Sequence, residues 1–68
     1  MKISISKLSV AMIRADIGTA KQLAKVSGVS VNTISRLRHG GSIKLPTLQR
    51  LSSALGVDPA ELIEEVTR

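Results

Sequence analysis

Eight consecutive residues, Val31-Asn-Thr-Ile-Ser-Arg-Leu-Arg38, carry a carboxamide, two hydroxyls and two guanidinium groups. A carboxamide can pair with adenine in one bidentate contact, and a guanidinium fork can do the same with guanine. Ile34 and Leu37 fall on one face of a helix, so Asn32, Thr33, Ser35 and Arg36 project elsewhere. The segment thus presents a short polar and cationic face near its N-terminus, the geometry that enters a major groove.

Such a helix works only if its neighbours hold it. Before it, Thr19–Ser27 sets Ala20, Leu23 and Ala24 on one face, and the small Ala24 lets a second axis approach closely. Gly28-Val29-Ser30 joins the two segments: Gly28 can take the left-handed conformation that ends one helix, and Ser30 can cap the next. Upstream, Leu8, Ala11, Met12 and Ala15 predict a helix from about Ser6 to Ala15, ended by Gly18, while Lys2–Ser6 alternates as a short strand or a tail would. Downstream, Gly40-Gly41-Ser42 breaks the chain. Pro46 fits the first turn of a fourth helix bearing Leu48, Leu51, Ala54 and Leu55, which runs until Gly56. Asp58-Pro-Ala-Glu61 has the order of a capping box and predicts a last helix carrying Leu62, Ile63 and Val66.

At 68 residues the chain reads as a single domain, 1–68. A domain near this size buries only roughly 60% of the surface its unfolded chain exposes, which favours a binding module over an enzyme. The formal charge is +5, with nine of ten Lys and Arg in residues 1–50 and four of five acids in 58–65, so the basic part must face something anionic. Cysteine is absent, there is no signal-peptide core and no apolar run near the ~20 residues of a membrane span. A cytoplasmic setting is expected. Phe, Tyr and Trp are also absent, which disfavours single-stranded nucleic acid held by stacking and leaves duplex recognition. His39 is the sole histidine and has neither companion ligands nor a nucleophile at a motif spacing. Asp58 and Glu61 read as caps instead of an acid–base pair. No catalytic residue, metal or cofactor is expected, and Lys and Arg are spread too evenly over short helices for a membrane anchor.

Leu23-Ala24, Gly28-Val29-Ser30, Thr33-Ile34-Ser35-Arg36, Gly40 and Ala54-Leu55-Gly56-Val57 together resemble the helix-turn-helix domain of the XRE family, the fold of Cro and the phage repressors. The resemblance covers roughly residues 8–63. It implies an all-α, compact five-helix repressor-like domain with a central helix-turn-helix, whose third helix, 31–38, reads double-stranded DNA. Members commonly repress transcription as dimers on operators with two half-sites. The chain departs at Ala20, where the family often has Gln, and at Arg38, where many members have Glu.

On that placement Val31, Asn32, Ser35 and Arg36 are the base-reading residues, Val31 suiting a thymine methyl. Lys21, Ser30, Thr33, Arg38, His39 and Lys44 are the phosphate-contacting set, with Lys25 and Arg50 near them in character. The bland alternatives are solvated side chains and, for Ser30, a helix cap alone. The function implied is a sequence-specific transcriptional regulator of the repressing kind. The alternative is an antitoxin that binds a protein toxin and autoregulates its operon, using Leu62, Ile63 and Val66 beside Glu64-Glu65. A homodimer on DNA is expected, with Leu62, Val66, Ile3 and Ile5 as its apolar contact.

Overall fold

Among the described residues, three of the four α-helices begin on a hydroxyl placed three residues before the amide it serves. In a computed structural model, which describes residues 1–64, Ser4 accepts from Lys7 N–H at 3.3 Å, Thr19 from Gln22 N–H at 3.1 Å and Ser30 from Thr33 N–H at 3.2 Å. Each satisfies an orphan donor of a first turn. The helices so started are α1 (Ile5–Arg14), α2 (Ala20–Ser27) and α3 (Val31–Leu37). The fourth, α4 (Leu45–Leu55), starts differently: Lys44 supplies no side-chain cap, and Pro46 occupies the first turn.

Gly28 and Gly56, at φ 76° and 69°, end α2 and α4 in the left-handed conformation. The end of α1 departs from expectation. The left-handed residue there is Asp16, at φ 60°, not Gly18, because a short polar side chain tolerates that region. Gly18 instead donates its N–H to Gln22 Oε1 at 2.8 Å, which steadies the entry to α2.

The stripes meet in one core of Leu8, Leu23, Ile34, Leu37, Leu48 and Leu51, each at most 1% exposed. Leu, Ile and Val, with Met12 and Ala11, fill the core in a sequence without Phe, Tyr or Trp. α2 packs on α3 and α4, and the turn after α4 packs back on α1 and α4. The buried Ser52 hydroxyl donates to Gln49 O at 3.1 Å, and no buried side-chain polar atom among the described residues lacks a partner. None of the helices described is long and apolar enough to cross a membrane.

The predicted fifth helix is a correction. Pro59–Leu62 forms a single 3₁₀ turn, with Glu61 Oε2 accepting from Asp58 N–H at 3.0 Å, and Ile63 is already extended. Its backbone is drawn away from the helix by a partner far off in sequence. The N-terminal segment runs antiparallel between two others, facing Ser42 from Lys2 and Ile63 from Ile3. On one side Ile3 N–H donates to Gly41 O at 3.1 Å and Ile43 N–H to Met1 O at 2.7 Å. On the other, Ser4 N–H donates to Leu62 O at 2.8 Å and Glu64 N–H to Lys2 O at 2.9 Å. Only Lys2 and Ile3 of the alternating Lys2–Ser6 pair in this way, as isolated bridges, and Ile5 and Ser6 already belong to α1.

The same backbone closure, made of two isolated bridges, overturns half of the expected dimer contact. Ile3 and Leu62 are fully buried and belong to the core, not to a surface. Ile5 is exposed, whereas Val66 and Glu65 lie outside the described residues.

Candidate nucleic-acid interface

Successive helix residues turn by about 100°, so burying Ile34 and Leu37 aims Asn32, Ser35 and Arg36 outward with Val31 at the edge of the same arc. All four are exposed. Thr33, on the flank, is half-buried. α2 braces the helix from behind through buried Leu23 and the partly buried Ala20 and Ala24. The turn between them is fixed by buried Val29, whose N–H donates to Ser27 Oγ at 3.2 Å.

The hydroxyls at the start of α3 divide their work. Ser30 Oγ accepts from the Thr33 amide and spends its own proton on Thr33 Oγ1 at 2.8 Å. Ser30 is thus committed to the cap, and the hydroxyl proton still free to meet a phosphate is that of Thr33. At the other end of α3, His39 Nδ1 lies 2.8 Å from Ser35 O. A carbonyl only accepts, so Nδ1 carries the hydrogen and Nε2 is the ring atom left to solvent.

Arg36 is the side chain whose surroundings were least visible in the sequence. Its Nη1 donates to Ser42 O at 3.4 Å, and a Cβ added at Gly41 would stand 3.6 Å from the same nitrogen. The guanidinium therefore reaches across the turn that follows α3. Gly40 and Gly41, at φ 92° and 147°, take backbone angles that favour glycine. Arg38 and His39 stand exposed before that turn, Lys44 after it, and the N-terminus of α4 opens directly beyond Lys44. Lys21 and Lys25 are exposed on α2, one helical turn apart, and Arg50 is exposed on α4.

The structure thus brings the four residues expected to read bases onto one face, and links that face to the turn before Lys44 through Arg36. The backbone partners of the turn, Met1 and Ile3, escaped the sequence reading. The alternation in Lys2–Ser6 announced a strand without saying where it would pair.

The chain matches the family of the Cro/C1-type HTH DNA-binding domain over residues 7–67. It belongs to that family. The fold accords with this membership: α2 and α3 are the helix-turn-helix, and helix-turn-helix domains bind double-stranded DNA. Among solved structures this Cro/C1-type domain is similar to a mutant hydroxyethylphosphonate dioxygenase, at 28% identity and a TM-score of 0.82. It is also similar to PhpD with cadmium, at 30% identity and a TM-score of 0.78. Each match covers 100% of this chain but 15% of the other, so the domain spans a small part of those proteins. No curated protein sequence matches it. Among the described residues no group of three His, Cys, Asp or Glu gathers to hold a metal ion.

Proposed function

We propose that this domain is a sequence-specific, double-stranded DNA-binding transcriptional regulator that represses by occupying an operator as a homodimer. The observation that carries the reading is the outward arc of α3: four exposed side chains, Val31, Asn32, Ser35 and Arg36, stand opposite a fully buried Ile34–Leu37 edge. Asn32 and Arg36 read adenine and guanine edges, Ser35 adds a hydrogen bond and Val31 meets a thymine methyl. Lys21, Thr33, Arg38, His39 and Lys44 hold phosphates, and Ser30 supports them through its cap on Thr33. Two copies supply the DNA surface that one module of this size lacks, on half-sites about one helical turn apart. The setting is the cytoplasm.

The dioxygenase named for one similar solved chain is a protein of which this fold covers 15%. The antitoxin alternative drew on an apolar C-terminal surface, and Leu62, its first residue, is buried in the core. Regulation of transcription needs neither.

Titrating duplex DNA at two salt concentrations tests the reading. About six to ten phosphate contacts per regulator correspond to a loss of roughly a thousandfold or more in affinity between ~50 and ~200 mM salt. A flat salt response, or no duplex binding at low salt, overturns it. A footprint over a single half-site with a 1:1 complex throughout the titration overturns the dimer.

A further inference from the structure

The segment Met1–Ser4 lies outside the helix-turn-helix, yet its backbone is shared between the two ends of the fold. Its odd-numbered residues face the turn after α3, through Ile43 N–H to Met1 O at 2.7 Å and Ile3 N–H to Gly41 O at 3.1 Å. Its even-numbered residues face the C-terminal segment, through Glu64 N–H to Lys2 O at 2.9 Å and Ser4 N–H to Leu62 O at 2.8 Å. Both outer edges of this small sheet are then covered by a basic side chain. Arg36 Nη1 donates to Ser42 O at 3.4 Å, and Lys7 Nζ donates to Ile63 O at 3.4 Å.

We infer that Ile3, through its backbone N–H, is a positioning residue of the DNA interface. It pins the Gly41–Ile43 segment, and thereby Lys44 and the start of α4, in register with the reading face of α3. The physical need is plain. Gly40 and Gly41 are adjacent glycines, the most permissive residue type, so a turn containing both carries a large conformational entropy that must be lost before Lys44 can meet a phosphate. Backbone pairing to a strand whose Ile3 side chain is fully buried removes that entropy in advance, as preorganisation of a binding loop does. Arg36, bonded to Ser42 from the other side, ties the pinned turn to α3.

This inference rests on the DNA-binding reading, and a pair of single-atom changes in the full chain separates the two. At 68 residues the chain is accessible to chemical synthesis with one backbone amide replaced by an ester. An ester at Ile3 deletes the donor to Gly41, and an ester at Ser4 deletes the donor to Leu62, with every side chain kept. Each loses one backbone donor bond of similar length, and the Ile3 ester also weakens the Lys2 carbonyl that accepts from Glu64 N–H, so coupling to Lys44→Ala separates a positioning role from a merely structural one. The expected result is a loss of about five- to tenfold for the Ile3 ester and less than about twofold for the Ser4 ester, measured where all forms are folded. Lys44→Ala should cost less in the Ile3 ester than in the unmodified chain, because the two changes act on one contact. Equal losses for the two esters, or full additivity with Lys44→Ala, overturn the inference. Amide exchange of Ile43 in the unmodified chain reads the pinning without any variant: protection is expected, and exchange at the rate of an open loop overturns it. An unmodified chain that binds no duplex at low salt overturns the functional reading and this inference with it, whereas duplex binding with equal ester losses overturns this inference alone.

Discussion

The helix-turn-helix and the ends of the chain are closed by opposite means. Within α2 and α3 the closing bonds are local: Thr19 caps Gln22, Ser30 caps Thr33, and Gly28 turns at φ 76° with its N–H on Ala24 O. The ends are closed by backbone pairs between residues dozens of positions apart, Ile3 with Gly41 and Ser4 with Leu62. Local bonds cost little loop-closure entropy and form wherever the helix forms. The distant pairs need the core to exist first, and Ile3 and Leu62, both fully buried, are part of that core. The face of α3 proposed to read bases is thus held by short-range chemistry, and the turn proposed to meet phosphate by long-range assembly.

The largest effect comes from testing whether the two regions share one core. Leu23→Ala in α2 and Ile3→Ala in the terminal strand are each expected to destabilise the fold by about 2–5 kcal/mol in urea unfolding, in a single transition. An Ile3→Ala cost below about 1 kcal/mol, or a separate early transition, breaks the claim that the terminal closure is built into the core.

Binding variants sharpen the comparison on the DNA side. Arg36→Ala is expected to cost roughly 1–3 kcal/mol per half-site on the best operator and to flatten the preference at one position, most plainly a guanine. Lys44→Ala is expected to weaken specific and non-specific duplexes alike and to reduce the salt slope by about one. Selection from random duplexes with each variant separates them. A uniform loss for Arg36→Ala, with relaxed base preference for Lys44→Ala, reverses the assignment of reading face and turn. It would also make the bond of Arg36 to Ser42 its main role.

The smallest effect is at the cap. Ser30→Ala is expected to cost about 1 kcal/mol of stability, since its proton is already taken by Thr33 and its oxygen serves the first turn of α3. Thr33→Val keeps the fold and removes the free hydroxyl proton, so it should lower duplex affinity more than stability. The opposite pattern in paired unfolding and binding measurements exchanges the two roles.

The sequence by itself determined what short-range physics controls. Apolar residues at helical spacing located α1 to α4, Gly28 and Ser30 set the turn between α2 and α3, and Pro46 marked the first turn of α4. The same periodicity separated the buried Ile34–Leu37 edge from the outward Asn32, Ser35 and Arg36, so the candidate reading face was legible before any coordinates. Those residues also carried the resemblance to the family, and the match over residues 7–67 shows the membership. Tertiary structure alone decided where the two ends go. The alternation of Lys2–Ser6 allowed a strand but named no partner, and the capping order of Asp58–Glu61 announced a helix that stops after one turn. Ile3 and Leu62, offered as a contact surface by their apolar character, became core because backbone pairing turned them inward. Arg36 was expected to point at a base, but no local rule could say that its guanidinium would also span the glycine turn to Ser42. Periodicity reports the face a residue shares with near neighbours, whereas strand pairing depends on which distant backbone the finished core brings within hydrogen-bond reach.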